Sequence, residues 1–119
     1  IDYCRDKHSS KSSSFYMSSK PHISLDFALM SGTYNFFPSS NFADWLDYFL
    51  TSLNAIWSQT KIAMGFNLQI AGQSKITNQG IVYFSEAELL GYCEQYFGTT
   101  TVIYNKNLPN DGTFLMRKI

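Results

Sequence analysis

The chain has 119 residues, of which 45% are apolar and 17% aromatic, and nine basic residues balance nine acidic ones. That is the size of one domain with one core. Zero net charge argues against DNA or RNA as the main partner, because nucleic-acid binders carry a basic excess that displaces counterions from phosphates.

Residues 1–20, IDYCRDKHSSKSSSFYMSSK, are rich in Ser and Lys and show no period. They read as a flexible arm, pinned at most by Tyr3, Phe15 or Tyr16, ahead of a single α+β domain over 21–119. The first residue is not Met and no apolar signal region follows, so the chain reads as processed or excised from something longer.

The first strand is expected at 22–30. Ile23, Leu25, Phe27 and Leu29 alternate with Ser24, Asp26, Ala28 and Met30, and the larger apolar set is expected to face the core. SGTYNFFPSS is then a loop. Asn41–Ser58 carries the strongest helical period. Asn41 caps it, and Asp44 suits the positive end of its dipole. Phe42, Leu46, Phe49, Leu50, Leu53, Ile56 and Trp57 form one broad face. Asp44 and Asp47 lie opposite, and Tyr48 falls off the apolar stripe.

Residues 61–70 alternate again, with Ile62, Met64, Phe66, Leu68 and Ile70 on one side. AGQS reads as a hairpin into a third strand over 75–84, with Gly80 as a bulge. Ser85 and Glu88 form a capping box, and Phe84 with Leu89 a hydrophobic staple. Leu89, Leu90, Cys93, Tyr96 and Phe97 make the inner face of that helix, and Gly98 ends it. TTTVIY is a fourth strand by β-branched content, NLPNDG a turn, and Thr113–Met116 an additional C-terminal strand.

The order β-α-β-β-α-β predicts a single ferredoxin-like (split βαβ) sandwich, an antiparallel sheet with two helices on one face. The other face is then open, with Ser24, Asp26, Ala28, Asn67, Gln69, Ile81 and Tyr83 as its candidates. That mixture of polar, apolar and aromatic groups suits recognition.

Few residues carry chemistry. Cys4 and Cys93 are too few for a disulfide framework and make no zinc spacing; Cys93 reads as a buried thiol. Such sparing use of Cys leans toward a reducing, cytoplasmic setting. No run reaches the roughly 18 apolar residues of a membrane span, and no metal or cofactor motif occurs. QGIVYF matches an RNA-recognition strand in outline but lacks its basic and paired-aromatic positions. His22 and Asp26 would share a strand face about 13 Å apart, too far to share a proton.

His22-Ile23-Ser24 resembles the H-x-S/T strand motif of the 2H phosphoesterases. The resemblance covers three residues. It implies a second such motif across a cleft, with the two imidazoles as general acid and base on a phosphodiester. The only other histidine, His8 in HSS, lies in the arm. His22 is therefore expected to open a strand.

These readings favour a non-catalytic protein-binding module of the inhibitor, adaptor or toxin-neutralising (immunity) kind. Its partner surface would be Asp44, Asp47 and Tyr48, or the sheet face around Asp26, Gln69 and Tyr83. The alternative is a small enzyme or ligand-binding domain, phosphodiesterase-like around His22. A third reading is a homodimer through the open sheet face.

Overall fold

The computed structural model describes residues 1–119. In chain order the elements are α1 (Asp2–His8), β1 (Leu25–Met30), α2 (Phe42–Gln59), β2 (Thr60–Ile70), β3 (Lys75–Ile76), β4 (Val82–Phe84), α3 (Glu86–Tyr96), β5 (Thr100–Asn105) and β6 (Leu108–Arg117). They make an α+β fold with one mixed six-stranded sheet. No helix is long and apolar enough to cross a membrane.

β2 is the organising strand. It pairs in parallel with β1 and β4 and antiparallel with β6, which carries β5 at its far side. β1 and β6 overlap on residues 63–66 of β2, so they take opposite edges of it. β1 and β4 therefore follow one another along the same edge. The expected purely antiparallel sheet does not form. A split βαβ sandwich keeps its first two strands apart, whereas here β1 and β2 are parallel neighbours joined by α2. The physical reason lies in the connection, since parallel neighbours need a crossover of helical length and α2 supplies it.

Local chemistry places α2 tightly. The Asn41 side chain accepts from the Asp44 N–H at 3.1 Å, and Trp45, Phe49, Leu53 and Ile56 form its buried stripe. There is no loop at its end. Thr60 stops the helix: its N–H bonds the Trp57 carbonyl, and its hydroxyl donates to the Ile56 carbonyl at 2.8 Å. The Lys118 ammonium also donates to the Trp57 carbonyl at 2.5 Å and lies 4.6 Å from the Trp57 ring centroid. A cation there complements the negative helix end.

The core is one cluster shared by both long helices and the inward residues of β1, β2, β4 and β6. Both helices thus cover one face of the sheet. Aromatic rings form its spine. Trp45 stacks on Phe49 at 4.7 Å, Phe49 meets Phe66 edge-on at 5.3 Å, and Phe66 stacks on Phe114 at 5.6 Å. Such pairs add roughly 0.5–1.5 kcal/mol each beyond burial.

Several expectations need correction. Leu25 packs on the core as expected, but beyond the register shift that follows it Ala28 is 7% exposed while Phe27 is 61% and Leu29 79% exposed, so from Phe27 onward β1 presents the opposite face to the core from the one predicted. Ala28 and Met30 pair with Met64 and Phe66, and α2 packs against β1 over this side. The small Ala28 side chain suits close approach of the helix, and the alternation alone cannot say which set goes in. The third strand is two short ones, β3 and β4, paired with each other about a turn. Gly80 belongs to that turn rather than to a bulge: its N–H bonds the Thr77 carbonyl at 2.9 Å, with φ at +84°. AGQS does not join a β2 hairpin, because β3 pairs with β4 and not with β2. NLPNDG is not a turn, as β6 begins at Leu108 and irregular pairing opposite Tyr104 and Asn105 absorbs the proline. The capping box is relayed. Ser85 accepts from Glu88 N–H, but the Ser85 N–H bonds Ser74 Oγ at 2.9 Å, which in turn donates to Glu88. In the arm, residues 2–8 form α1, which has no buried residue.

Two outcomes follow from this packing. A Cβ on Gly80 would stand 2.6 Å from the Phe37 carbonyl oxygen at a left-handed φ. Gly80→Ala is expected to lower stability by roughly 1–3 kcal/mol, seen as a lower urea midpoint; an unchanged midpoint would mean the turn relaxes freely. Burial, with Glu94 adding to it, pushes the Cys93 thiol up to about 12, whereas an ordinary thiol titrates near 9.0. The folded state then keeps a proton that the unfolded chain has lost. This stabilisation is full below pH 9 and declines as pH rises from 9 toward 12. Tyr34 and Tyr104, raised from 10.0 by burial foremost, add to the decline from about pH 10. Urea unfolding across that range should show the slope between pH 9 and 10 flattening in Cys93→Ala.

Candidate functional site

With both helices on one side, the alternation of the strands decides what the other side shows. On β2 that set is Ala63, Gly65, Asn67 and Gln69. On β6 it is Asp111, Thr113, Leu115 and Arg117, on β5 Thr101 and Ile103, and on β1 Phe27 and Leu29. These ladders line up as rows. Leu29, Gly65, Leu115 and Thr101 are successive neighbours across the sheet.

Gly65 has a specific role in that row. A Cβ there would meet Leu115 Cδ2 at 2.5 Å and Leu29 Cδ2 at 3.2 Å. The missing side chain lets the two leucines lean together over the β2 backbone. Phe27, Leu29, Leu115 and Arg117 border an open groove of about 740 Å³. Ile103, 48% exposed, continues the apolar surface onto β5.

The opposite end of the face is polar. Gln69 pairs with Tyr83 on one side and Asp111 on the other. Asn67 donates to Asp111 Oδ2 at 3.3 Å and accepts from the Gly32 N–H at 2.8 Å. The Lys75 ammonium lies 5.7 Å from the Tyr83 ring centroid. Gln69, Tyr83 and Asp111 border a smaller hollow of about 300 Å³.

The structure brings together some of the residues singled out in the sequence and separates others. Gln69 and Tyr83 are neighbours on the open face. Asp26 is exposed at the register shift between Leu25 and Phe27, at the far end of the sheet from Gln69 and Tyr83. Ala28 is buried and leaves the set, and Ile81 bridges to Phe36 across from it. Asp47 and Tyr48 share a second groove of about 490 Å³ with Ser18–Lys20 of the arm; Asp44 does not border it. Tyr48 is 48% exposed yet held, stacked on Phe37 at 6.1 Å and edge-on to Tyr34 at 6.2 Å.

His22 does not open a strand. It lies in irregular chain before Leu25, exposed, with its ring 5.2 Å from Tyr16. His8 sits on α1 beside Tyr3 and Phe15. No His, Cys, Asp or Glu side chains gather in threes. Comparison with protein-family models, with curated proteins and with solved structures finds no match.

Phe27, Leu29, Ile103, Leu115, Asp111 and Arg117 were absent from the sequence-level candidates. For Phe27 and Leu29 the signal was the period-two pattern itself, read with the opposite face inward; Asp111 fell in the expected NLPNDG turn, and no face was assigned to Ile103, Leu115 or Arg117. The inversion can be measured at low protein concentration. Leu29→Asp should hold stability within about 0.5 kcal/mol, as for an exposed position, whereas Ala28→Asp should cost on the order of 3 kcal/mol or more through a buried charge. Equal effects in urea denaturation would refute the assigned faces.

Proposed function

We propose that the chain is a non-catalytic protein-binding module of the inhibitor, adaptor or toxin-neutralising kind, and that it docks through the helix-free face of its sheet. The observation that carries this reading is the exposure of Phe27 and Leu29 beside Leu115 and Ile103 on one face. Apolar groups gathered on one surface, rimmed by polar ones, mark interaction sites more than chance does. The balance of charge favours a protein partner over a nucleic acid. Asp44, Asp47 and Tyr48 on α2 form the competing surface, with fewer apolar groups in reach.

The test is capture by the intact tagged chain from its source cells. Stoichiometric capture of one protein should be lost with Phe27→Asp/Leu29→Asp and retained with Asp44→Lys/Asp47→Lys. The reverse pattern would move the contact to α2 and overturn the assigned face. Capture indifferent to both pairs, or none at all, would overturn the binding reading.

A further inference from the structure

Besides Lys75, which lies at the sheet edge against the Tyr83 ring, the open face carries two charges on β6 that take part in no ion pair. The ion pair between Asp2 and Arg5, 4.0 Å apart, is the one formed within the chain; Arg117 and Asp111 have no such partner. Both point to the open face, six positions apart on β6. The same spacing recurs on β2, since Ala63 pairs with Arg117 and Gln69 with Asp111. Two rows result. One is Phe27, Ala63, Arg117; the other is Tyr83, Gln69, Asp111. They lie roughly 20 Å apart. Because β1 and β4 follow along one edge of β2, Phe27 and Tyr83 stand in the same column.

Each row is thus the counterpart of the other: an aromatic ring in one column, a charge in the next but one, with the sign reversed. We infer that the face takes a second copy of this chain, stacked on it about a two-fold axis that lies between the faces, across the strands, level with the point between Gly65 and Asn67. This rests on the binding reading above and names the partner. Rotation about that axis lays each strand antiparallel over its own column. Phe27 then meets Tyr83 of the second copy, and Arg117 meets Asp111 of the second copy, each twice. Leu29, Leu115 and Ile103 lie nearest the centre, where exclusion of water stabilises most. A two-fold running along the strands would instead put like charges at the same end, which electrostatic complementarity disfavours. An isologous contact of this kind closes at two copies.

The stacked columns cover a plan area on the order of 400 Å² per copy by strand spacing and rise. That is below the ~800 Å² per partner of a standard stable interface. The dimer is accordingly reversible and dependent on concentration.

Sedimentation equilibrium of the full chain, from micromolar to millimolar, tests this. Wild type should pass from one chain mass to two. Arg117→Asp and Asp111→Arg should each raise the dissociation constant about tenfold or more, because each creates two like-charge contacts. Mixed in equal amounts, the two variants should pair as tightly as wild type, since both contacts are then attractive. Arg117→Lys, which keeps the charge, should behave like wild type, and recovery of pairing in the mixture guards against misfolding of Asp111→Arg, whose carboxylate Asn67 holds in the wild type. Wild type that stays monomeric throughout, or a mixture no tighter than its components, would overturn the inference. If wild type is monomeric while face-dependent capture of another protein persists, the dimer fails and the binding reading stands; if capture fails as well, both fall.

Discussion

Everything in this molecule is sorted by one strand. β2 runs 11 residues and is hydrogen-bonded to three others. Its two-residue alternation is unbroken from Ala63 to Ile70, so one set of side chains goes to the helices and the other set to the far side. Phe66 and Leu68 are buried under α2 and α3, while Ala63, Gly65, Asn67 and Gln69 are left to define a surface. Because β1, β4 and β6 register against β2, each inherits the same division. A slip of one residue in any ladder would exchange core for surface along that whole strand.

The aromatic content takes on a different meaning in this frame. Trp45, Phe49, Phe66, Phe84 and Phe114 interlock inside, drawn from α2, β2, β4 and β6. These rings tie the helix layer to three strands far apart in sequence. As many aromatic residues are exposed as are buried, seven of each. Phe27 stands at one end of the open face and Tyr83 at the other, with the leucines between them.

Much of this was legible in the residues, and the misses share a cause. Asn41 and Ser85 announced both long helices because capping is local chemistry, and β2 announced itself because its alternation is clean. Gly80 was seen as special, but a strand bulge and a turn leave the same trace in sequence. The parallel pairing of β1 with β2 is set by packing of α2 across both, which no local pattern encodes. Most instructive is LDFALM. Its two faces are Phe27 and Leu29 against Ala28 and Met30, and hydrophobicity alone sends the larger pair inward. The core beneath α2 already holds Trp45, Phe49 and Phe66, so the smaller pair fits there and the larger pair is turned out. Phe27 and Leu29 were hidden by that single choice, and Asp111 and Arg117 by the length of β6, which runs from Leu108 to Arg117.

The disposition of the polar groups points the same way as the apolar ones. Glu86 accepts from the Tyr104 hydroxyl at 2.6 Å, and Glu88 accepts from Ser74, so both carboxylates of the first turn of α3 are engaged. Tyr34 is spent against Ser52 and on the Trp45 indole, whose N–H its carbonyl receives at 3.2 Å. Cys93 is buried and held neutral. The histidines lie apart from the sheet, each beside aromatic rings of the arm. These titratable groups are each held by partners of their own or lie away from the open face. The open face shows an apolar strip, with Arg117 toward one end and Asp111, held by Asn67, toward the other. On the proposed reading such a surface would work by shape and complementary charge, and the strand register that builds the core is also what spaces its parts.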